Sequence, residues 1–70
     1  MKISTWNVNS VNARIEHLEK FIKKDQSDIY LLQELKTIEE GFPKEIIKNT
    51  GYYSYVNGQK AWNGVAILSK

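Results

Sequence analysis

Between Lys2 and Gln33 the hydrophobic period of this chain changes twice, and that switch constrains the fold more than any other feature. Lys2 to Val8 carries β-branched and aromatic residues and reads as a strand, stopped by the turn-prone run Asn7-Val8-Asn9-Ser10. Val11, Ile15, Leu18 and Ile22 then fall at helical spacing, with Phe21 beside them. Ser10 is the expected N-cap. Glu16–Lys20 and Glu19–Lys23 are i,i+4 pairs in the favourable order, and Lys23 and Lys24 suit the C-terminal end of the helix dipole. Asp25-Gln26-Ser27-Asp28 breaks the pattern, and Ile29 to Gln33 reads as a buried strand ending at Glu34. A strand, a helix and a strand within about thirty residues form a βαβ crossover, so the two strands are expected to be parallel. Their carboxyl ends then share one sheet edge, and in such sheets ligands bind at that edge.

The rest of the chain extends this unit. Thr37 to Gly41 reads as loop. Pro43 can open a short helix, Lys44 to Asn49, which Gly51 ends. Tyr52 to Val56 and Gly64 to Ser69 read as two more strands, and Asn57-Gly58 is a turn signal at the head of a hairpin loop reaching Asn63. The order is β-α-β-(α)-β-β, an α/β fold in a single domain spanning 1–70. The last predicted strand runs almost to the C-terminus, leaving no later segment to cover the second face of the sheet. The expectation is therefore an apparently truncated domain.

Composition sets limits on what can hold such a chain together. Seventy residues without cysteine have no disulfide or thiolate metal site, and the single histidine gives no zinc cluster. Chains this short bury only about 60% of their unfolded surface. Yet 41% of residues are hydrophobic, with two Trp, four Tyr and two Phe, which is a core-forming composition rather than a disordered one. The net charge of +2 permits a nucleic-acid partner without arguing for one. Neither a signal-peptide apolar segment nor a membrane-length apolar run is present. A soluble protein of a reducing compartment, the cytoplasm, is expected.

The crossover brings chemistry to one place. Asn7 ends the first strand, and Gln33 and Glu34 end the second. Asn carbonyls, carboxylates and waters are the oxygen ligands of Mg²⁺, often with only one or two carboxylates from the protein. A Mg²⁺ so held can bind a phosphate oxygen and act as a Lewis acid. The blander reading stays open at this point: Glu34 as a loop carboxylate and Asn7 as a turn former. His17 reads as an exposed mid-helix residue. Tyr52, Tyr53, Tyr55 and Trp62 could stack on DNA, with Lys36 and Lys60 at phosphates, although strand aromatics are usually core and surface lysines usually solvated. Trp62 and Lys60, in a loop beside the sheet edge, are the better placed of these.

Three blocks now carry a resemblance. Trp6-Asn7-Val8-Asn9, Leu32-Gln33-Glu34-Leu35-Lys36 and Trp62-Asn63-Gly64-Val65-Ala66-Ile67-Leu68-Ser69-Lys70 resemble successive blocks of the exonuclease III/abasic-site endonuclease family, in order and at the right intervals. Gly58-Gln59-Lys60 resembles the loop before the last block. The resemblance covers the whole chain. It implies the N-terminal portion of a four-layer α/β/β/α sandwich of the deoxyribonuclease I type. It also implies Mg²⁺-dependent hydrolysis of phosphodiesters (Mn²⁺ being an alternative metal) in double-stranded DNA, at abasic sites and 3′ ends, by a monomeric enzyme of base-excision repair. By the same resemblance Glu34 and Asn7 are metal ligands, Asn7 lying beside the metal and phosphate, and Asn9 borders the site. Trp62, Lys60, Lys36 and Arg14 are candidates for DNA contact.

The chain departs from the family pattern in places. Ser10 and Asn12 stand where the family often has Gly and Arg, so a phosphate contact is in doubt, with Arg14 as a candidate substitute. Leu35 stands where many members have Thr. The family's catalytic tyrosine, its Asp-x-Asn pair and its late Asp and His fall beyond residue 70. No catalytic residue is therefore expected within the chain, and the isolated chain is expected to be inactive. Two other readings compete: a fragment that at most binds metal or DNA weakly, and a phosphoesterase of the same superfold with a non-DNA substrate.

Overall fold

Parallel pairing of Ile3–Asn7 (β1) with Ile29–Gln33 (β2) sets the architecture in the computed structural model, which describes residues 1–58 and 63–70. The helix Ile15–Asp25 (α1) makes the crossover between them, as the two changes of period require. Val65–Ser69 (β4) pairs antiparallel with β2, and Tyr53–Asn57 (β3) pairs antiparallel with the far side of β4. The sheet order is β1-β2-β4-β3. A short 3-10 turn, Glu39–Gly41, and the helix Lys44–Asn49 (α2) fill the link from β2 to β3. The order β-α-β-(α)-β-β and the mixed α/β class agree with the sequence reading.

Both helices cover one face of the sheet. Leu18 and Ile22 from α1 and Ile47 from α2 join Tyr30, Leu32 and Leu68 in one buried cluster. Each such side chain contributes on the order of 1.5–3 kcal/mol by leaving water. The other face carries Ile3, Leu31, Tyr53, Tyr55, Val65 and Ile67, all exposed. The expectation that β2 is buried on both sides is therefore corrected: Leu31 lies outward at 36% exposure, because the helices cover only its neighbours Tyr30 and Leu32. Among the described residues no helix is long and apolar enough to cross a membrane.

The helix start also differs from expectation. Ser10 is not an N-cap. Helix α1 begins at Ile15 behind Arg14, with no side-chain cap. The reason lies in the backbone: Ser10 N–H donates to Glu34 O at 2.9 Å and Val11 N–H to Leu35 O at 3.0 Å. These bonds prolong the β1–β2 ladder, and Ser10 sits at φ 84°, in the left-handed region rather than the extended backbone of an N-cap. Of the two i,i+4 pairs, Glu19–Lys23 closes at 3.7 Å. Glu16–Lys20 is not among the ion pairs of the described residues. Strand β3 begins one residue later than expected, at Tyr53, because Tyr52 turns into the core and donates its hydroxyl to Ser27 O.

A polar network closes the amino ends of β1 and β2. Asp25, the last residue of α1, accepts from Lys2 Nζ at 2.5 Å, Ser27 Oγ at 2.5 Å and Tyr30 OH at 3.0 Å. Lys2 and these hydroxyls hold the Asp25 carboxyl well below the usual carboxylate range, against the opposing effect of desolvation. Burial, with Tyr30 alongside, pushes the Tyr52 phenol up to about 12.

These shifts fix the sign of the pH dependence. A lowered Asp25 gives stability that is present above its ordinary value of 3.8 and lost as pH falls below it. A raised Tyr52 gives stability that is present below pH 10.0 and lost as pH rises towards about 12. Thermal melts followed by circular dichroism should show both limbs. Asp25→Asn should flatten the acid limb and Tyr52→Phe the alkaline one. A second outcome concerns Gly58, where an added Cβ would lie 2.6 Å from Glu39 N and 2.7 Å from Thr37 O. Because those neighbours are backbone, Gly58→Ala should cost about 1–3 kcal/mol in denaturant titration.

Candidate functional site

Because β1 and β2 are parallel and in register, Asn7 lies opposite Gln33 and the next residue, Glu34, leaves the sheet beside it. Glu34 turns at φ 55°, in the left-handed region, and Asn7 Nδ2 donates to Glu34 Oε2. Asn7 Oδ1 in turn accepts the Asn9 N–H at 3.1 Å. This is the local side-chain-to-backbone turn that Asn favours. Lys36, at φ 57°, donates its Nζ to Asn9 Oδ1. The residues that end the two strands thus form one connected group: Lys36, Asn9, Asn7 and Glu34.

The backbone under this group is strained. Asn9, Ser10, Glu34 and Lys36 all have φ between 47° and 84°. Such conformations cost roughly 1–3 kcal/mol each and persist only where surrounding structure over-determines them. Here the restraint is visible. Val8 N–H reaches Gln33 O at 3.0 Å, Leu35 N–H reaches Gly64 O at 3.2 Å and Lys36 N–H reaches Asn63 O at 3.1 Å, so three chain segments continue to pair beyond the strands. Between Glu34 and Lys36, Leu35 is fully buried in the core and pins the turn. A hydrophobic anchor flanked by two left-handed residues leaves both polar side chains at the edge.

This arrangement can hold a cation only in part. Among the described residues no group of three or more His, Cys, Asp or Glu side chains comes together. One carboxylate with amide neighbours does not make a calcium cage or a zinc tetrahedron. It suits Mg²⁺, which keeps several waters and takes one or two carboxylates. Glu34 fits as the ligand, with Oε2 held by Asn7. Asn7 holds Glu34 Oε2 through Nδ2, and its Oδ1, which accepts the Asn9 N–H, keeps a second lone pair with which it could face the same cation.

Of the residues singled out in the sequence, Glu34, Asn7, Asn9 and Lys36 are brought together. Arg14 is half-buried at the start of α1 and makes no hydrogen bond to this group among the described residues. Asn12 donates to Gly41 O at 3.1 Å, tying the turn before α1 to the 3-10 segment. Lys60 and Trp62 lie outside the described residues, as does Gln59 of the loop block. His17 is exposed and lines a shallow cleft with Thr5, Trp6 and Phe21. Tyr52 is core, whereas Tyr53 and Tyr55 lie on the open sheet face. Sequence reasoning missed the Lys36–Asn9 link. The tolerance of Asn for the left-handed conformation was the available signal.

Comparison with known proteins bears on the family and the fold. The model of the Endonuclease/Exonuclease/phosphatase family matches residues 4–70. Exodeoxyribonuclease III of Haemophilus influenzae is 46% identical over 70 residues, covering 100% of this chain and 26% of the relative. An AP endonuclease from Archaeoglobus fulgidus superposes with a TM-score of 0.95 at 38% identity, over 99% of this chain and 27% of that one. The 3′ phosphatase NExo from Neisseria, bound to a product DNA hairpin, superposes with a TM-score of 0.94 at 43% identity, over 99% and 27%. The chain therefore spans about a quarter of the length of the relatives it matches.

Two substitutions test the site's geometry. At φ 84°, Ser10→Gly should raise stability by roughly 1 kcal/mol, as left-handed strain relieved outweighs the added freedom of the unfolded chain. Asn7→Asp replaces a donor with a second carboxylate facing Glu34, so it should lower stability at neutral pH and recover as pH falls. Urea titrations at pH 7 and pH 4 would register both effects.

Proposed function

Because the chain belongs to the endonuclease/exonuclease/phosphatase family, we propose that it forms the metal-holding corner of a divalent-metal-dependent DNA-repair nuclease of the exonuclease III type. The observation that carries this reading is the contact between Asn7 and Glu34 at the carboxyl edge of the parallel pair. The substrate class is double-stranded DNA carrying abasic sites or 3′ ends, and the metal is Mg²⁺, with Mn²⁺ as a substitute. The likeness to an AP endonuclease and to a 3′ phosphatase bound to DNA supports the DNA substrate over other phosphoesters.

In this reading Glu34 offers a carboxylate oxygen to the metal and Asn7 restricts the carboxylate's rotation. Asn9 sets the angle at which Asn7 is presented. The bound cation supplies Lewis-acid polarisation of a phosphate oxygen. Water activation and leaving-group protonation need a general base and acid, and among the described residues no His, Asp or second Glu stands with Glu34. His17 sits on α1 with Trp6 and Phe21 instead. Positioned acid–base and electrostatic groups each contribute factors of about 10²–10⁴. A chain with the cation corner alone should thus bind metal and fail to cut.

The test has two arms. Incubated with a duplex carrying one abasic site, the purified chain should give no incision with Mg²⁺ or with EDTA. Metal-dependent cutting would contradict the assignment of acid–base groups elsewhere. In parallel, Mn²⁺ titration followed by electron paramagnetic resonance should show binding that Glu34→Gln weakens at least tenfold. Unchanged binding in that variant would remove Glu34 as the ligand.

A further inference from the structure

We propose that Lys36 is a positioning residue for the Glu34 carboxylate, acting through Asn9 and Asn7, an inference that rests on Glu34 being the metal ligand. The order of donors and acceptors imposes a direction on the group. A lysine ammonium can only donate, so the end of the Asn9 amide that it meets is the carbonyl, Oδ1. The Asn9 backbone N–H can also only donate, so it fixes Oδ1 of Asn7. That leaves Nδ2 of Asn7 to meet Glu34 Oε2, an acceptor when ionised. Each amide is thus turned by its own partners, that of Asn9 by Lys36 and that of Asn7 by the Asn9 backbone N–H and Glu34, and Lys36 acts by holding the Asn9 segment from which that N–H is presented.

The backbone gives this chain of contacts something to offset. Asn9 and Ser10 hold φ values of 47° and 84° on one side, and Glu34 and Lys36 hold 55° and 57° on the other. The Lys36–Asn9 contact joins the two strained segments through side chains, with a charge-assisted hydrogen bond. Asn9 is exposed, so the contact competes with water and adds little to global stability. Its effect is on orientation. Partners that orient a metal ligand typically change metal affinity 10–100-fold when removed. A lysine that served only to meet a DNA phosphate would leave metal affinity alone.

Mn²⁺ is the probe, titrated into the 70-residue chain and followed by electron paramagnetic resonance, with ¹⁵N correlation spectra recorded beside it. Lys36→Met should weaken Mn²⁺ binding about tenfold or more. It should also shift the Asn7 side-chain NH₂ signal and leave the amides of Ser27 and Tyr30, at the opposite end of the sheet, in place. Asn9→Ala should reproduce both effects, and Lys36→Arg should restore most of the affinity. If Glu34→Gln abolishes binding while Lys36→Met stays within twofold of the parent chain, the positioning role is overturned and the ligand assignment stands. If Glu34→Gln itself leaves binding unchanged, both fall. Loss in Lys36→Met together with displaced Ser27 and Tyr30 amides, or failure of Arg to rescue, would mark a general folding effect and likewise overturn the role.

Discussion

The parallel register of β1 and β2 is the constraint on which the rest of this structure depends. It places Asn7 opposite Gln33 and brings the chain leaving each strand to the same edge. A slip of one residue would exchange the two faces of β2, turning Tyr30 and Leu32 outward and Leu31 inward. It would also part Asn7 from Glu34. Core packing and site geometry are thus enforced by the same alternation. The fully buried pair Leu18 and Ile22 on α1 hold the register, because only one setting of β2 presents Tyr30 and Leu32 to them.

The two ends of this parallel pair are built in opposite ways. At the amino end, Asp25, Ser27, Tyr30 and Tyr52 share hydrogen bonds around a fully buried serine, and both carboxylates there, Asp25 and Asp28, are partnered by Lys2. At the carboxyl end, four non-glycine residues are held in left-handed backbone around a single carboxylate. Satisfied polar groups stabilise the first end. The second stores strain, which ordered structure retains only where something else over-determines it. The continuing ladder to Asn63 and Gly64 and the buried Leu35 provide that restraint. A stiff base and a strained rim on one short sheet agree with the reading of the rim as the functional edge.

The outer face of the sheet has its own pattern. Register aligns Thr5, Leu31, Ile67 and Tyr55 in one row across the four strands. The next row towards the carboxyl edge of β1 and β2 is Asn7, Gln33, Val65 and Asn57. Apolar character therefore fades to polar at the rim that carries Glu34. Such a gradient suits a sheet whose middle meets another apolar layer and whose edge meets water and a charged ligand. It accords with the four-layer sandwich to which the chain's relatives belong.

Much of this was legible in the residues themselves. The change of period from two to 3.6 and back specifies strand, helix and strand, and a crossover that short forces the strands parallel. Asn7 and Glu34 could be placed together from that alone. The ends of the elements could not. Whether Ser10 caps a helix or prolongs a ladder depends on the carbonyls of Glu34 and Leu35, more than twenty residues away, so no local propensity decides it. The same holds for Tyr52, which leaves its strand because the Ser27 carbonyl lies within reach in the folded chain. The turn of the Asn7 amide is of this kind too, set by one donor from Asn9 and one acceptor from Glu34. Sequence determined the order of elements, the parallel setting of β1 and β2 and the β3–β4 hairpin, because period and turn chemistry are local properties, whereas the seating of β4 against β2 was settled only by folding. Tertiary structure alone decided the caps, the strained rim and the direction of the hydrogen bonds around Glu34, because each depends on a partner that only folding brings near.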